Sequence, residues 1–290
     1  MHRFLRAIGF SDIRERDLEL ILNEIVEHPS TMKVTRDSED KEFAEFTKEF
    51  AKNIGITIRG SYDEEDVFHM DYYFPFVKTD ELTTMEHVDI ERYAEKEAYA
   101  GICDEVRLGV ALIFYLQNVA DFLSEHRHNL HGVGFRGAYL CALSVEGKII
   151  LPVEQNLPAK MKANSKYAKR SQLMALAREG NEEAIESLSM QDMDLYTAIS
   201  QRISKEDIFS IVSSTFMPYS IESDQYSILG EITDVSELVN TLTEEHLYTL
   251  TLNTNDIIFN VTINQKDLLG RPEVGRRFKG YIWMQGTICI

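Results

Sequence analysis

Apolar residues recur along the chain with two different periods, and each change of period marks a change of element. Leu18, Ile21, Leu22, Ile25 and Val26 follow the 3.6-residue spacing of a helix, with Ser11 as its predicted N-cap and Pro29 as its stop. A second helix is predicted from about Ser38, because Phe43, Phe46, Phe50 and Ile54 fall along one side and Gly55 supplies an end. The period then shortens. Residues 56–60, 67–77, 86–93, 97–103 and 106–117 are short runs rich in Val, Ile, Tyr and Phe, divided by acidic turns. Such runs without intervening helices predict an antiparallel sheet rather than βαβ units. Residues 138–145 and 148–153 read as a further hairpin turned at Glu146-Gly147, with a short helix over 138–145 as the alternative.

A lysine-bearing linker with Pro158 runs from Glu154 to about Ser165, and some fifty helical residues are predicted after it. Gly180-Asn181 reads as the end of one helix and the cap of the next, while Ser189-x-x-Asp192 and Ser204-x-x-Asp207 read as two more N-terminal caps. From Pro218 to Ile290 the pattern is strand-like again, in YSILGEITDV, HLYTLTLNT, DIIFNVTI and RRFKGYIWMQGTICI, with glycines at the joins. The fold class expected is therefore α+β. N-terminal helices lie on an antiparallel sheet over 1–158, a helical connector spans 159–217, and a small OB-like β-barrel occupies 218–290. No internal repeat or low-complexity stretch is visible.

Composition narrows the setting. Apolar residues make up 44% and charged residues 27% of the 290, a globular balance without a disorder signature. The net charge of −18 disfavours non-specific binding of phosphate backbones by the whole surface. Cys103, Cys141 and Cys289 are odd in number, far apart and without a C-x-x-C pair, which excludes a disulfide framework and a four-cysteine zinc site. The charged N-terminal residues lack the apolar core of a signal peptide, and LGVALIFYL is about half the length of a membrane span. A soluble, cytoplasmic protein that uses no cofactor and contacts no membrane is expected.

Three clusters invite chemistry. Gly132-Val133-Gly134-Phe135-Arg136-Gly137 fits G-x-G-x-x-G, but a dinucleotide site needs a buried strand before the first glycine, and SEHRHNLH cannot supply one, so a loop is expected. His126, His128 and His131 stand in the same stretch and suit zinc or iron. Yet no regular helix or strand presents all three on one face. The third is GRPEVGRRFKG. Arg271, Arg276, Arg277 and Lys279 gather there, although residues 218–290 hold five Lys and Arg against ten Asp and Glu. Arg277 and Lys279 share a strand face. These side chains either take a phosphate or carboxylate or pair with local acids such as Glu273. Tyr281 and Trp283 lie on one strand face and read as a stacking platform, with the lone Trp283 as core the other reading. There is no G-x-S-x-G, P-loop or H-E-x-x-H.

The stretch AREGNEEAIESLSMQDMDLYTAISQRISKEDIFSIVSSTFMPY and the phrase DLLGRPEVGRRFKGYIWMQG resemble an uncharacterised family, a domain of unknown function of anaerobic clostridial bacteria, most clearly over 170–290. The resemblance implies no activity, ligand or catalytic residue. The expected function is accordingly a binding role, with another protein as partner, through the C-terminal strands. Single-stranded nucleic-acid binding through residues 271–279 and a metal-dependent enzyme built on the histidines are the alternatives.

Overall fold

The structure of the protein is a computed structural model that describes residues 1–37, 39–92, 97–105, 107–108, 110–128, 135–152, 173, 176–177, 180–190, 193, 212–220 and 223–290. It is α+β, with strands predominating. After a 3-10 segment at Arg3–Ile8 comes helix α1, Glu15–Glu27, which buries Leu18, Leu22 and Ile25 as its spacing requires. Its N-cap is Arg14, without a side-chain cap. Ser11, the expected cap, instead donates its Oγ–H to Glu245 Oε1 at 2.5 Å.

Strands β1 (Thr31–Arg36), β2 (Glu42–Ala51), β3 (Ile54–Tyr62) and β4 (Phe68–Val77) form a four-stranded antiparallel meander. The second helix expected from Ser38 is thus corrected to β2. Its phenylalanines fit a helical spacing because the polar residues between them imitate an exposed helix face, whereas Glu45 and Thr47 are buried and partnered. Glu45 Oε2 accepts from Arg59 Nε at 2.8 Å, and Thr47 Oγ1 lies 3.1 Å from Thr57 Oγ1. Arg59 reaches on to the Gln117 carbonyl at 2.5 Å and the Tyr115 hydroxyl at 3.3 Å, tying this sheet to the next.

The larger sheet contains β5 (Thr84–Arg92), β6 (Tyr99–Glu105), β7 (Val110–Leu116), β8 (Phe135–Ile150), β9 (Thr215–Pro218), β10 (Gln225–Val239), β11 (His246–Thr254), β12 (Ile257–Asn264), β13 (Leu268–Leu269) and β14 (Arg277–Ile288). Helix α2, Val119–His128, follows β7. The hairpin predicted at Glu146-Gly147 is a correction: β8 runs through both residues. Gly147 is needed there not for a turn but for close packing, since a Cβ on it would stand 2.3 Å from the Phe278 ring. In the connector, residues 182–190 are helical, with Gly180 at φ +82° before them and Asn181 Oδ1 accepting from the Ala184 N–H at 3.0 Å, as expected. Ser189 lies inside that helical run and donates to the Ile185 carbonyl at 2.9 Å instead of opening a new helix. Asp192, Ser204 and Asp207 lie outside the described residues.

The pairing of β8 with β14 organises the molecule. The two run antiparallel over their whole shared length, Arg277 opposite Ile150 and Ile288 opposite Ala138. The second edge of β14 is used twice and that of β8 three times, β13 pairing with Gly147 and Lys148 beside β12 and β5. Toward one end β14 pairs with β10 and β8 with β12, and β10–β11–β12 completes a circuit of five strands. Toward the other end β14 pairs with β7 and β8 with β5, and β5–β6–β7 completes a second circuit. β8, which precedes residue 218, is therefore the fifth partner of the four C-terminal strands. One buried cluster fills the inner side of both circuits, with Phe114, Leu140 and Ala142 joined to Phe278, Ile228, Leu250 and Val261. A second cluster lies outside, where the N-terminal helices and meander cover Cys141, Leu143 and Trp283. Among the described residues no helix is long and apolar enough to cross a membrane.

Candidate functional site

Residues opposite one another in an antiparallel pair point to the same face of a sheet. Phe278, Ile282 and Met284 of β14 point inward, so Arg277, Lys279, Tyr281 and Trp283 point outward. On β8 the matching outward residues are Cys141 and Leu143 toward one end but Glu146 and Lys148 toward the other. The parity changes at a bulge, where Tyr281 faces Glu146 and the next residue, Ile282, faces Ser144. Ser144 Oγ donates across this bulge to the Tyr281 carbonyl at 2.8 Å and the Glu146 carbonyl at 3.0 Å.

Beyond the bulge the outer face is concave. A depression of about 400 Å³ is lined by Glu146, Lys148, Ser227, Asp267, Lys279 and Tyr281, together with Leu269. Lys148 and Lys279 stand in register across the two strands. Asp267 takes a two-pronged hydrogen bond from Arg6, at 2.7 Å and 2.5 Å, so its charge is answered inside the molecule. Beside the depression stand large apolar groups in unusual exposure. Tyr281 is 44% exposed, Tyr219 68%, Met217 60% and Leu269 75%. The Tyr219 and Tyr281 rings meet edge to face, their centroids 5.9 Å apart.

The structure separates the residues of the basic cluster. Lys279 and Tyr281 enter the depression. Arg276 pairs with Glu273 at 2.8 Å, and its Nη1 donates to the Arg271 carbonyl at 3.2 Å. Arg277 is buried. Its Nε and Nη2 donate to the Leu151 carbonyl at 2.9 and 2.7 Å and its Nη1 to the Val212 carbonyl at 2.8 Å, while burial lowers its pKa. Arg271 stands exposed in the turn before β14, outside the lining of the depression. Trp283 is core, its ring 4.9 Å from that of His2, 5.3 Å from Phe4 and 5.2 Å from Tyr115, and its Nε1–H donates to Asp224 Oδ2 at 2.8 Å.

The histidine stretch, expected as a loop, is helical through residue 128, because Val119, Ala120, Phe122 and Leu123 recur at helical spacing and are buried. His126 and His128 therefore fall in the last turn of α2. Their side chains, and all of His131, lie outside the described residues. So do Gly132, Val133 and Gly134, while Gly137 lies in β8 with φ +93°. Among the described residues no group of three or more His, Cys, Asp or Glu is placed to hold a metal ion. Lys148, Tyr219 and Ser227 were not visible as site residues in the sequence. Lys148 follows a glycine that reads as a turn, and only the pairing of β8 with β14 sets it beside Lys279.

The profile of a family described as "Domain of unknown function, E. rectale Gene description (DUF3881)" matches residues 5–286, in keeping with the clostridial resemblance in the sequence. No curated protein and no solved structure matches the chain.

Proposed function

Because the chain belongs to this family of unknown function, whose description assigns no activity, we propose from its geometry that it is a binding protein that docks another protein on the outer face of β14, β8 and β10. The observation that carries this reading is the exposure of Tyr281, Tyr219, Met217 and Leu269 around the depression. Tyrosines and methionines are enriched where proteins meet, and an apolar patch on a chain of net charge −18 is otherwise a liability. The reading takes the circuit β10–β11–β12–β8–β14 as a small barrel of the OB type, a shape that presents its outer strands to partners. A cytoplasmic setting belongs to the same proposal and is supported by the free Cys103, Cys141 and Cys289 thiols. The engaged Arg276 and Arg277 do not favour the nucleic-acid alternative.

The test is capture from native lysate by the wild type and by a Tyr219→Ala, Tyr281→Ala double variant, each with and without nuclease. A protein retained through nuclease and lost with the variant supports docking at this face. Capture that vanishes with nuclease, or that the variant leaves intact, rejects it.

A further inference from the structure

A second concavity lies away from the first, where the start of α1 faces the turn between β10 and β11. It measures about 460 Å³ and shares no lining residue with the depression on β14. Ile21 lines it, and Leu20 and Leu242, 62% and 52% exposed, also stand on it. Asp17, Leu20 and Ile21 fall at i, i+3 and i+4 of α1, so one helix face presents a carboxylate beside two apolar side chains. Asp12 and Glu245 add two more carboxylates to the lining. Lys266 bridges these last two, at 3.2 Å and 2.7 Å, and Arg6 is held by Asp267, which among the described residues leaves three carboxylates against one ammonium around an apolar floor.

Ser11 and Lys266 also stand 2.9 Å apart here, the spacing of a serine–lysine pair. The electrostatics oppose nucleophilic use, because the hydrogen bonds that Lys266 donates to Glu245 and Asp12 raise its pKa and keep it protonated. The site is therefore one for recognition rather than chemistry.

We infer that this groove takes a basic amphipathic helix of another protein, its apolar side chains between Leu20 and Leu242 and its Lys or Arg residues against the exposed Asp12 and Asp17. The charge complementarity is local, from the acidic rim, and global, since a chain of net charge −18 attracts a basic segment from a distance. An apolar stripe with flanking cations is the form in which helices enter such grooves. This inference does not rest on the docking face at β14.

The probe is a labelled helical peptide of leucine and lysine in an amphipathic pattern, titrated by fluorescence anisotropy. A leucine–glutamate peptide of the same pattern and a scramble of the leucine–lysine sequence are the comparisons. Leu20→Ser and Leu242→Ser are each expected to weaken the leucine–lysine peptide about tenfold, the scale of a lost apolar anchor, without moving the Tm. Tyr281→Ala is expected to change nothing. Equal affinity in the groove variants, or equal binding of the glutamate or scrambled peptide, overturns the inference. So does a loss caused by Tyr281→Ala, which would move the peptide to β14. A wild-type dimer that Leu20→Ser converts to monomer in sedimentation equilibrium also overturns it, since a second copy would then occupy the groove.

Discussion

The two ends of the β8–β14 pair share the same two strands and the same inner core, yet their outer faces differ completely. At one end the outer face carries Trp283, Cys141 and Leu143 and is sealed beneath the N-terminal helices and meander. At the other it carries Tyr281, Lys279, Lys148 and Glu146, which line an open depression. The bulge between Ser144 and Glu146 divides them. A sheet covered on both faces becomes core, and one left open on a face keeps that face for contact. The part of the pair that carries the candidate site is thus distinguished by the absence of that cover among the described residues, while the inner face is packed along the whole length.

The largest expected effect tests the sealed end. Trp283→Ala removes a side chain that is 6% exposed, packed against three rings and hydrogen-bonded to Asp224. It is expected to cost about 3–5 kcal/mol in urea unfolding. A cost below about 1 kcal/mol would mean that the N-terminal cover does not hold that end.

The next separates inner from outer at the open end. Gly147→Ala places a Cβ 2.3 Å from the Phe278 ring, and overpacking of this kind costs about 1–3 kcal/mol. The neighbouring outward change Lys148→Ala is expected to stay within about 0.5 kcal/mol by the same unfolding measurement. Equal costs would show that the open face is in fact closed.

These two neighbours also show what the sequence made legible. Alternation in RRFKGYIWM put Arg277 with Lys279 and Tyr281 with Trp283, as the strand has them, because period-2 patterning is local information, but it left Trp283 open between a stacking platform and core. Gly147 misled, since a glycine admits both a turn and a close approach and only the distant Phe278 decides which. The same limit explains β2, whose buried Glu45 looks like a polar helix face until Arg59 is seen beside it. The two circuits were beyond reach for a like reason. They depend on β8 meeting β12, β14 and β5, contacts between segments far apart in sequence that no local period encodes.

A smaller effect follows pH at the sealed end. Burial raises the pKa of Asp224 above its ordinary 3.8, and the indole N–H of Trp283 opposes that only in part. A carboxyl whose folded pKa is raised stabilises the fold while protonated. That contribution is fully present below 3.8 and is lost as pH rises through the raised value. Asp224→Asn keeps an acceptor for Trp283 without the titration. The stability of the wild type relative to this variant is therefore expected to fall as pH is raised above 3.8 in a series of urea midpoints. A difference that stays flat with pH would show that Asp224 is not held in a desolvated site.

The smallest effect on stability belongs to Tyr281, and it decides the comparison. Tyr281 is 44% exposed and touches Tyr219 edge to face, so Tyr281→Ala is expected to shift unfolding by no more than about 0.5 kcal/mol. The same change is expected to abolish protein capture, because a rigid aromatic side chain at the centre of a docking face is where binding energy concentrates. A residue kept for packing would give the reverse, a loss of stability with capture unchanged. Trp283 and Tyr281 are only two positions apart on one face of one strand, on either side of the bulge, so the pair of variants compares aromatic side chains of one strand that differ chiefly in their cover. Should Tyr281→Ala destabilise the fold as Trp283→Ala does, the open end would be a buried face after all and the docking proposal would lose its ground.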